Sequence, residues 1–137
     1  MKLAVLLAML AGVAIATQAT VNAAAARNLG IAALISVSGF ATGFTGLAFA
    51  LASAKPEFTT RAVLFGVASG MLGCVILASV TYAVGVGGVA RALSLLVASQ
   101  LIAGLAFDYF GYFGAEMSLT KLLGVALIVV GGVLVVR

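Results

Sequence analysis

The chain lacks the residues that most enzymes use for chemistry. Its 137 residues include no histidine, no tryptophan, one cysteine and three acidic side chains. This composition excludes a zinc cluster, a catalytic triad that needs histidine, paired catalytic carboxylates and a disulfide framework. We therefore expect a protein that is not an enzyme and that holds no metal and no cofactor.

Charge is equally scarce. Only 7% of the residues are charged, 65% are hydrophobic, and the mean hydropathy is +1.36. Soluble domains carry about a quarter charged residues, so the solvent of this chain is lipid. Its seven basic residues are scattered singly rather than clustered, which argues against nucleic acid as a partner and is typical of anchors at membrane edges.

Long charge-free runs predict membrane-spanning helices. A hydrocarbon core about 30 Å thick needs about 20 apolar residues. Three runs, 3–26, 28–54 and 62–90, are long enough alone, and two shorter ones, 92–107 and 122–136, need their flanking residues. The sequence therefore predicts an all-α membrane protein with one transmembrane domain over residues 1–137. The five spans are expected at approximately 3–24, 30–53, 62–84, 90–109 and 118–136.

Turn residues and aromatics separate these spans. The only proline, Pro56, predicts an aqueous turn after the second span, and Gly85, Gly87 and Gly88 predict the next turn. The aromatic residues within 109–113 are typical of an interfacial belt.

The first span also has an alternative interpretation. Its apolar start and the small residues around Val21-Asn22-Ala23 imitate a cleavable signal peptide. Against cleavage, mostly small residues continue the run to residue 26, and a single lysine precedes it. We expect a retained helix.

The basic residues are shared almost equally between the two membrane faces. Five crossings divide them four against three: Lys2, Lys55, Arg61 and Lys121 against Arg27, Arg91 and Arg137. Orientation follows an excess of Lys and Arg on one side, so a balanced chain is expected to insert both ways. The alternative is that one extra charge fixes a single orientation. Two opposed copies would reproduce the inverted repeats of carriers, which predicts an antiparallel homodimer.

Small residues predict close helix packing. Helices in lipid associate through close backbone approach at glycine and similar residues. Two pairs of glycines stand four apart and one pair stands seven apart, although glycine is common in any membrane helix. Cys74 is expected to be a buried apolar filler. The predicted packing residues are Gly39, Gly43, Gly66, Gly70, Gly124 and Gly131.

Polar residues within spans are the candidate functional residues, because they are costly in lipid. Gln18 and Asn22 lie one turn apart in the first span, and Gln100 lies midway along the fourth. We interpret these three as substrate-binding residues, with hydrogen bonding between helices as the alternative. Asp108 and Arg91 are possible charge anchors or coupling residues, and an anchoring role is favoured for Asp108.

Two stretches carry a family resemblance. The first runs from Leu10-Ala11-Gly12-Val13 through Gln18 and Asn22 to Leu29-Gly30, and the second from Ala98-Ser99-Gln100-Leu101 to Phe107-Asp108-Tyr109-Phe110-Gly111. They resemble the YdcZ-type half-size proteins of the drug/metabolite transporter superfamily. The resemblance implies one five-helix half of a ten-helix inverted-repeat carrier in the bacterial inner membrane. It places Gln18, Asn22, Gln100 and Asp108 at recurring polar positions of the family.

The chain departs from better-known relatives in one respect. Four-helix members of the superfamily export cations through a glutamate in the first helix, and this chain has no acid there. An uncharged or zwitterionic solute is therefore favoured. We expect a small-solute secondary transporter that works by alternating access as an antiparallel homodimer in the bilayer. A structural or accessory subunit without a transport path, or a narrow channel, is the alternative.

Overall fold

The chain folds into helices of membrane-spanning length. A computed structural model describes residues 2–53, 58–110 and 118–137, and within these ranges it contains five helices and no strand. All five are long and apolar enough to cross a membrane, which confirms the predicted all-α class. The helices are α1 (Lys2–Leu29), α2 (Ile31–Ser53), α3 (Thr60–Gly87), α4 (Val89–Tyr109) and α5 (Leu119–Val136).

Two helices extend beyond their predicted spans. Both α1 and α3 contain 28 residues, or about 42 Å at 1.5 Å per residue, whereas the hydrocarbon core is about 30 Å thick. In α1 the extra length includes Arg27, which lies in the last turn of the helix. A cation is favourable there because helix C-termini carry partial negative charge, and a long arginine side chain can extend toward lipid headgroups.

Single glycines separate α1 from α2 and α3 from α4. Gly30 has φ +75°, its N–H donates to the carbonyl of Ala26 at 2.9 Å, and its own carbonyl accepts from Leu34 at 3.1 Å. Gly88 has φ +81° and makes the same pair of bonds with Val84 and Ala92. Both glycines therefore end one helix and begin the next in a conformation that side chains with a Cβ disfavour.

The turn predicted around three glycines is shorter in the structure. Helix α3 continues through Gly85 and Gly87, and only Gly88 interrupts the helical path. Glycine is tolerated inside a helix, so its frequency alone does not locate the break. The positive φ angle of Gly88 identifies the junction.

Contacts divide the chain into two units, residues 1–82 and 83–137. In the first unit α1 contacts α2, and Ala19 and Leu34 are buried. In the second unit α4 packs against α5, with Ala98 and Gly132 buried. Most large apolar side chains of the described residues are exposed, as lipid-facing helices require. The single domain over residues 1–137 stays a prediction.

Aromatic side chains lie near two helix ends. Tyr109 and Phe110, at the end of α4, are exposed and meet edge to face with ring centroids 5.8 Å apart. In the first turn of α3, the guanidinium of Arg61 lies 5.6 Å from the centre of the Phe65 ring. Both arrangements are typical of residues at the membrane interface. The predicted turn at Pro56 and residues 111–113 of the predicted aromatic belt lie outside the described residues.

Candidate functional site

Helix α1 presents two amides one helical turn apart. Asn22 is 6% exposed, whereas Gln18 is exposed. The hydroxyls of Thr17 and Thr20 donate to carbonyls four residues earlier in the same helix, at 2.9 Å in each case. Because these hydroxyls are satisfied within α1, the two amides are the groups that α1 offers to a neighbour or a solute.

Gln100 lies in the second unit, on the side of α4 turned away from α5. Ala98 is 8% exposed and faces α5, where it lies close to Gly132. Two residues further along a helix correspond to a rotation of about 200°, so Gln100 points nearly opposite to that contact. Its side chain is exposed. The grouping of Gln100 with Gln18 and Asn22 in one site stays a prediction.

A close approach between α4 and α5 occurs at a glycine that the sequence analysis did not identify. A Cβ added to Gly132 would lie 3.3 Å from the carbonyl oxygen of Ser94 and 3.8 Å from the Cβ of Ala98. Ser94 and Ala98 are themselves small and stand four residues apart. This small-xxx-small spacing is the signal that could have located the contact.

The glycines predicted to pack have open space around them in this chain. A Cβ at each of the six would meet nothing within 4 Å: Gly39, Gly43, Gly66, Gly70, Gly124 and Gly131. Their packing against a second chain stays a prediction. The expected burial of Cys74 is wrong, since the residue is exposed. Residue spacing identifies a helical face but does not say what covers it.

An ion pair joins the end of α4 to the start of α5. Asp108 Oδ2 accepts a hydrogen bond from Lys121 Nζ at 2.5 Å, and the side chains are 24% and 37% exposed. The α5 end of the pair is fixed locally, because the Ser118 hydroxyl accepts from the backbone N–H of Lys121 at 3.2 Å. The pair links the end of α4 to the start of α5, and both predicted roles of Asp108, as an anchor and in coupling, stay predictions.

Arg91 lies at the start of α4 and is exposed. A Cβ placed on Gly87 would lie 3.6 Å from its Cδ, so the aliphatic part of the arginine runs alongside the junction at Gly88. Its charged end is thus left for the membrane surface. The role of Arg91 as a charge anchor or coupling residue stays a prediction.

A second buried polar residue was not predicted. Thr81, near the end of α3, is 3% exposed, and its hydroxyl has no hydrogen-bond partner among the described residues. With Asn22 it makes up the buried polar side chains of the part of the chain that the structure describes. A single threonine in an apolar helix gives no sequence signal, because most such hydroxyls bond to their own helix.

A shallow groove lies along α2. It is lined by Ala41, Thr42, Thr45, Gly46 and Phe49, and the Thr45 hydroxyl donates to the Ala41 carbonyl at 2.8 Å. All five residues belong to one helix, so the groove is an open surface rather than an enclosed site. Among the residues that the structure describes, no three metal-binding side chains lie together.

Comparison with known protein families shows which family this chain belongs to. Residues 3–134 match the family described as "Putative inner membrane exporter, YdcZ". The chain belongs to the YdcZ family. A search of curated proteins and a search of solved structures gave no match.

Membership confirms the resemblance drawn from the two polar stretches. This YdcZ-family chain is a multi-pass protein of the inner membrane, and its family description supports a role in transport. The match extends over all five described helices, so the family relationship applies to the whole set of helices and not only to the two polar stretches.

Proposed function

We propose that this YdcZ-family protein moves a small uncharged or zwitterionic solute across the inner membrane. In this proposal it works by alternating access as an antiparallel homodimer, and Gln18, Asn22 and Gln100 bind the solute. Family membership supports transport. The position and exposure of Gln100 carry the rest of the proposal.

Gln100 is a polar group at the depth where lipid tolerates it least. It lies eleven residues after Val89, the first residue of α4, which is about 17 Å along a helix that must cross a core of about 30 Å. Its side chain is exposed on the face opposite to the α5 contact. An amide in hydrocarbon loses the hydrogen bonds that water provides, so a second chain or an aqueous cavity is expected to cover it.

Gln18, in the first unit, is likewise an exposed polar group far from the ends of its helix. It lies eleven residues before Leu29, the last residue of α1, again about 17 Å from a helix end. Its side chain is also exposed. Two exposed amides at mid-membrane depth suit a polar path for a solute better than two separate contacts with lipid.

The charges support the arrangement of two opposed copies. The flanking basic residues are divided four against three, although Lys55 lies outside the described residues. A chain with so little bias has little to hold it in one orientation. Opposed copies would place one set of amides from each protomer near a shared midplane, where inverted-repeat carriers bind substrate.

In this mechanism the solute binds through hydrogen bonds rather than charge. Gln18 and Gln100 each offer an amide donor and an amide acceptor. No acidic residue occurs in α1 or in the part of α4 that precedes Asp108. The two protomers then exchange conformations, so that the bound solute faces one side of the membrane and then the other. Because the protomers are identical, inward-facing and outward-facing states are equivalent by symmetry.

The transport test uses purified protein in liposomes. Uptake of radiolabelled L-serine, L-glutamine, glycerol and D-ribose is measured against concentration, with and without a proton gradient. We expect saturable uptake of at least one solute, and its loss in Gln100→Leu while cross-linking still detects the dimer. Ser99→Ala is the matched control, because the Ser99 hydroxyl donates to its own helix at 2.9 Å and is not assigned to the site.

The outcomes separate the alternatives. Loss of the dimer in Gln100→Leu would identify the amide as a contact between helices. Uptake that rises without saturation would favour a narrow channel. A purified wild-type dimer that transports none of the four solutes and has no polar cavity would favour a structural subunit.

Orientation is tested with single cysteines. In a Cys74→Ala background, Leu3→Cys and Val135→Cys place thiols near the two ends of the chain. A membrane-impermeant maleimide is expected to label each of them in about half of the molecules in intact cells, as equal insertion requires. Complete labelling of one end and none of the other would contradict dual insertion.

A further inference from the structure

The Thr81 hydroxyl has no partner in a setting where hydroxyls normally have one. Its side chain is 3% exposed, and no donor or acceptor among the described residues reaches its oxygen. Leaving a buried hydroxyl unsatisfied is unfavourable, because it loses its hydrogen bonds with water and gains none in return.

Several other helical hydroxyls in the chain find a partner within their own helix. The threonines at 17, 20 and 45 and the serines at 36 and 94 donate to the carbonyl four residues earlier, at 2.7 to 3.2 Å. This bond requires only a change of rotamer, and helical threonine commonly makes it. Thr81 has the same option with Leu77 and does not use it. Its hydroxyl is therefore left without a partner among the described residues of the solute-free protein.

Thr81 and Asn22 share one unit and one membrane depth. Asn22 precedes the end of α1 by seven residues, and Thr81 precedes the end of α3 by six, which is about 10 Å and about 9 Å. Successive spans cross in alternate directions, so α1 and α3 end on the same side of the membrane. Both buried polar side chains then lie at a similar distance below one membrane surface.

Few charged residues lie along these two helices, and none lies within four residues of Asn22 or Thr81 in the sequence. Arg27 is the first charged residue after Asn22, and α3 carries no charge after Arg61. Asn22 offers an amide donor and acceptor, and Thr81 a hydroxyl that donates or accepts. Side chains of this kind recognise a neutral group with both capacities, a hydroxyl or a carboxamide, rather than an ionised one.

We infer that Thr81 is a substrate-binding residue of α3, whose hydroxyl holds a hydroxyl- or carboxamide-bearing end of the transported solute at a membrane depth similar to that of the Asn22 amide. This inference rests on the proposed function and adds to it a third helix and a chemical preference. Among neutral and zwitterionic solutes, it favours polyols and amides over purely apolar ones.

The test compares Thr81→Val with Thr81→Ser, using the four radiolabelled solutes in liposomes. Valine has the shape of threonine without the hydroxyl, and serine keeps the hydroxyl. We expect Thr81→Val to raise the KM of the transported solute about tenfold, the ratio for one lost hydrogen bond, while Thr81→Ser stays near wild type. Thr45→Val is the control, because the Thr45 hydroxyl bonds to its own helix.

Thermal unfolding in detergent without solute supplies a second readout. Because the Thr81 hydroxyl is unsatisfied in the solute-free protein, Thr81→Val is expected to match or exceed the wild-type midpoint. A lower midpoint, or failure to assemble, would overturn the inference, since the hydroxyl would then hold the protein together. An unchanged KM in Thr81→Val would also overturn it, and so would an equal rise in KM in Thr45→Val. Absence of wild-type uptake would instead remove the proposed function on which the inference rests.

Discussion

Replacing Gly132 by valine is expected to weaken the α4–α5 contact. The added Cβ would lie 3.3 Å from the Ser94 carbonyl oxygen, closer than ordinary van der Waals contact, and the neighbour is backbone rather than a flexible side chain. The two γ-methyl groups of valine need further room. Overpacking of this kind costs about 1–3 kcal/mol. Gly132→Ala is expected to be nearly neutral, because its single methyl is offset by a gain of about 1 kcal/mol in helix propensity.

Gly131→Val is the matched control. It places the same residue one position earlier in the same helix, where a Cβ meets nothing within 4 Å. Helix propensity changes equally at both positions, so the difference between the variants measures the contact with α4. The assay is thermal unfolding in detergent, followed by circular dichroism. A difference of 1–3 kcal/mol corresponds to a midpoint for Gly132→Val lower by several degrees, on the order of 3 to 15 °C.

Equal midpoints for the two variants would refute the reasoning from Gly132. A midpoint for Gly131→Val below that of Gly132→Val would contradict the assignment of the main contact to Gly132. It would show that the face of α5 containing Gly124 and Gly131 makes the stronger contact, as their seven-residue spacing predicts. Measuring dimer content by cross-linking in the same samples separates a contact with a second copy from one within the chain.

Two other predictions concern helix ends. Gly30→Ala is expected to lower the free energy of unfolding by about 1–2 kcal/mol, because Gly30 has φ +75°. Gly12→Ala, in the open middle of α1, should have no such cost. The thermal midpoints of the two variants test this. Asp108→Asn is expected to cost no more than about 1 kcal/mol, because both partners are partly exposed and water screens the pair. In a double-mutant cycle with Lys121→Gln, the double variant should be about as stable as either single variant, and additive losses would show that the ion pair contributes nothing.

The number and approximate places of the helices were predictable from charge alone. A charged side chain in hydrocarbon is so unfavourable that the charge-free runs outline the five spans. Their ends were less predictable, because arginine reaches the interface from inside a helix. Arg27 therefore lies within α1, two residues before its last residue, Leu29.

Contacts between helices were not predictable to the same extent. Glycine spacing marks several faces as suitable for close approach, but which face has a partner depends on the whole bundle. Gly132 meets α4 in this chain, while its neighbour Gly131 does not. A small-xxx-small pattern that admits alanine and serine identifies Ser94 and Ala98 as a pair complementary to a glycine.

The candidate site was likewise only partly predictable from the sequence. Amides stand out in an apolar helix, so Gln18, Asn22 and Gln100 were identifiable from the sequence as candidates, and their role in binding stays a prediction. Thr81 was not identifiable, because the sequence does not distinguish a hydroxyl bonded to its own helix from a buried hydroxyl without a partner. Only the three-dimensional environment of α3 made that distinction.

The one-residue junction at Gly30 limits what can reach the protein at that point of the membrane surface. A single residue lies between two helices, and its N–H and carbonyl are both bonded to helical neighbours. Proteases and antibodies bind a stretch of several accessible residues, which this junction does not provide. An epitope inserted there would interrupt two transmembrane helices at once, so reporters of orientation belong near the first or last residues of the chain.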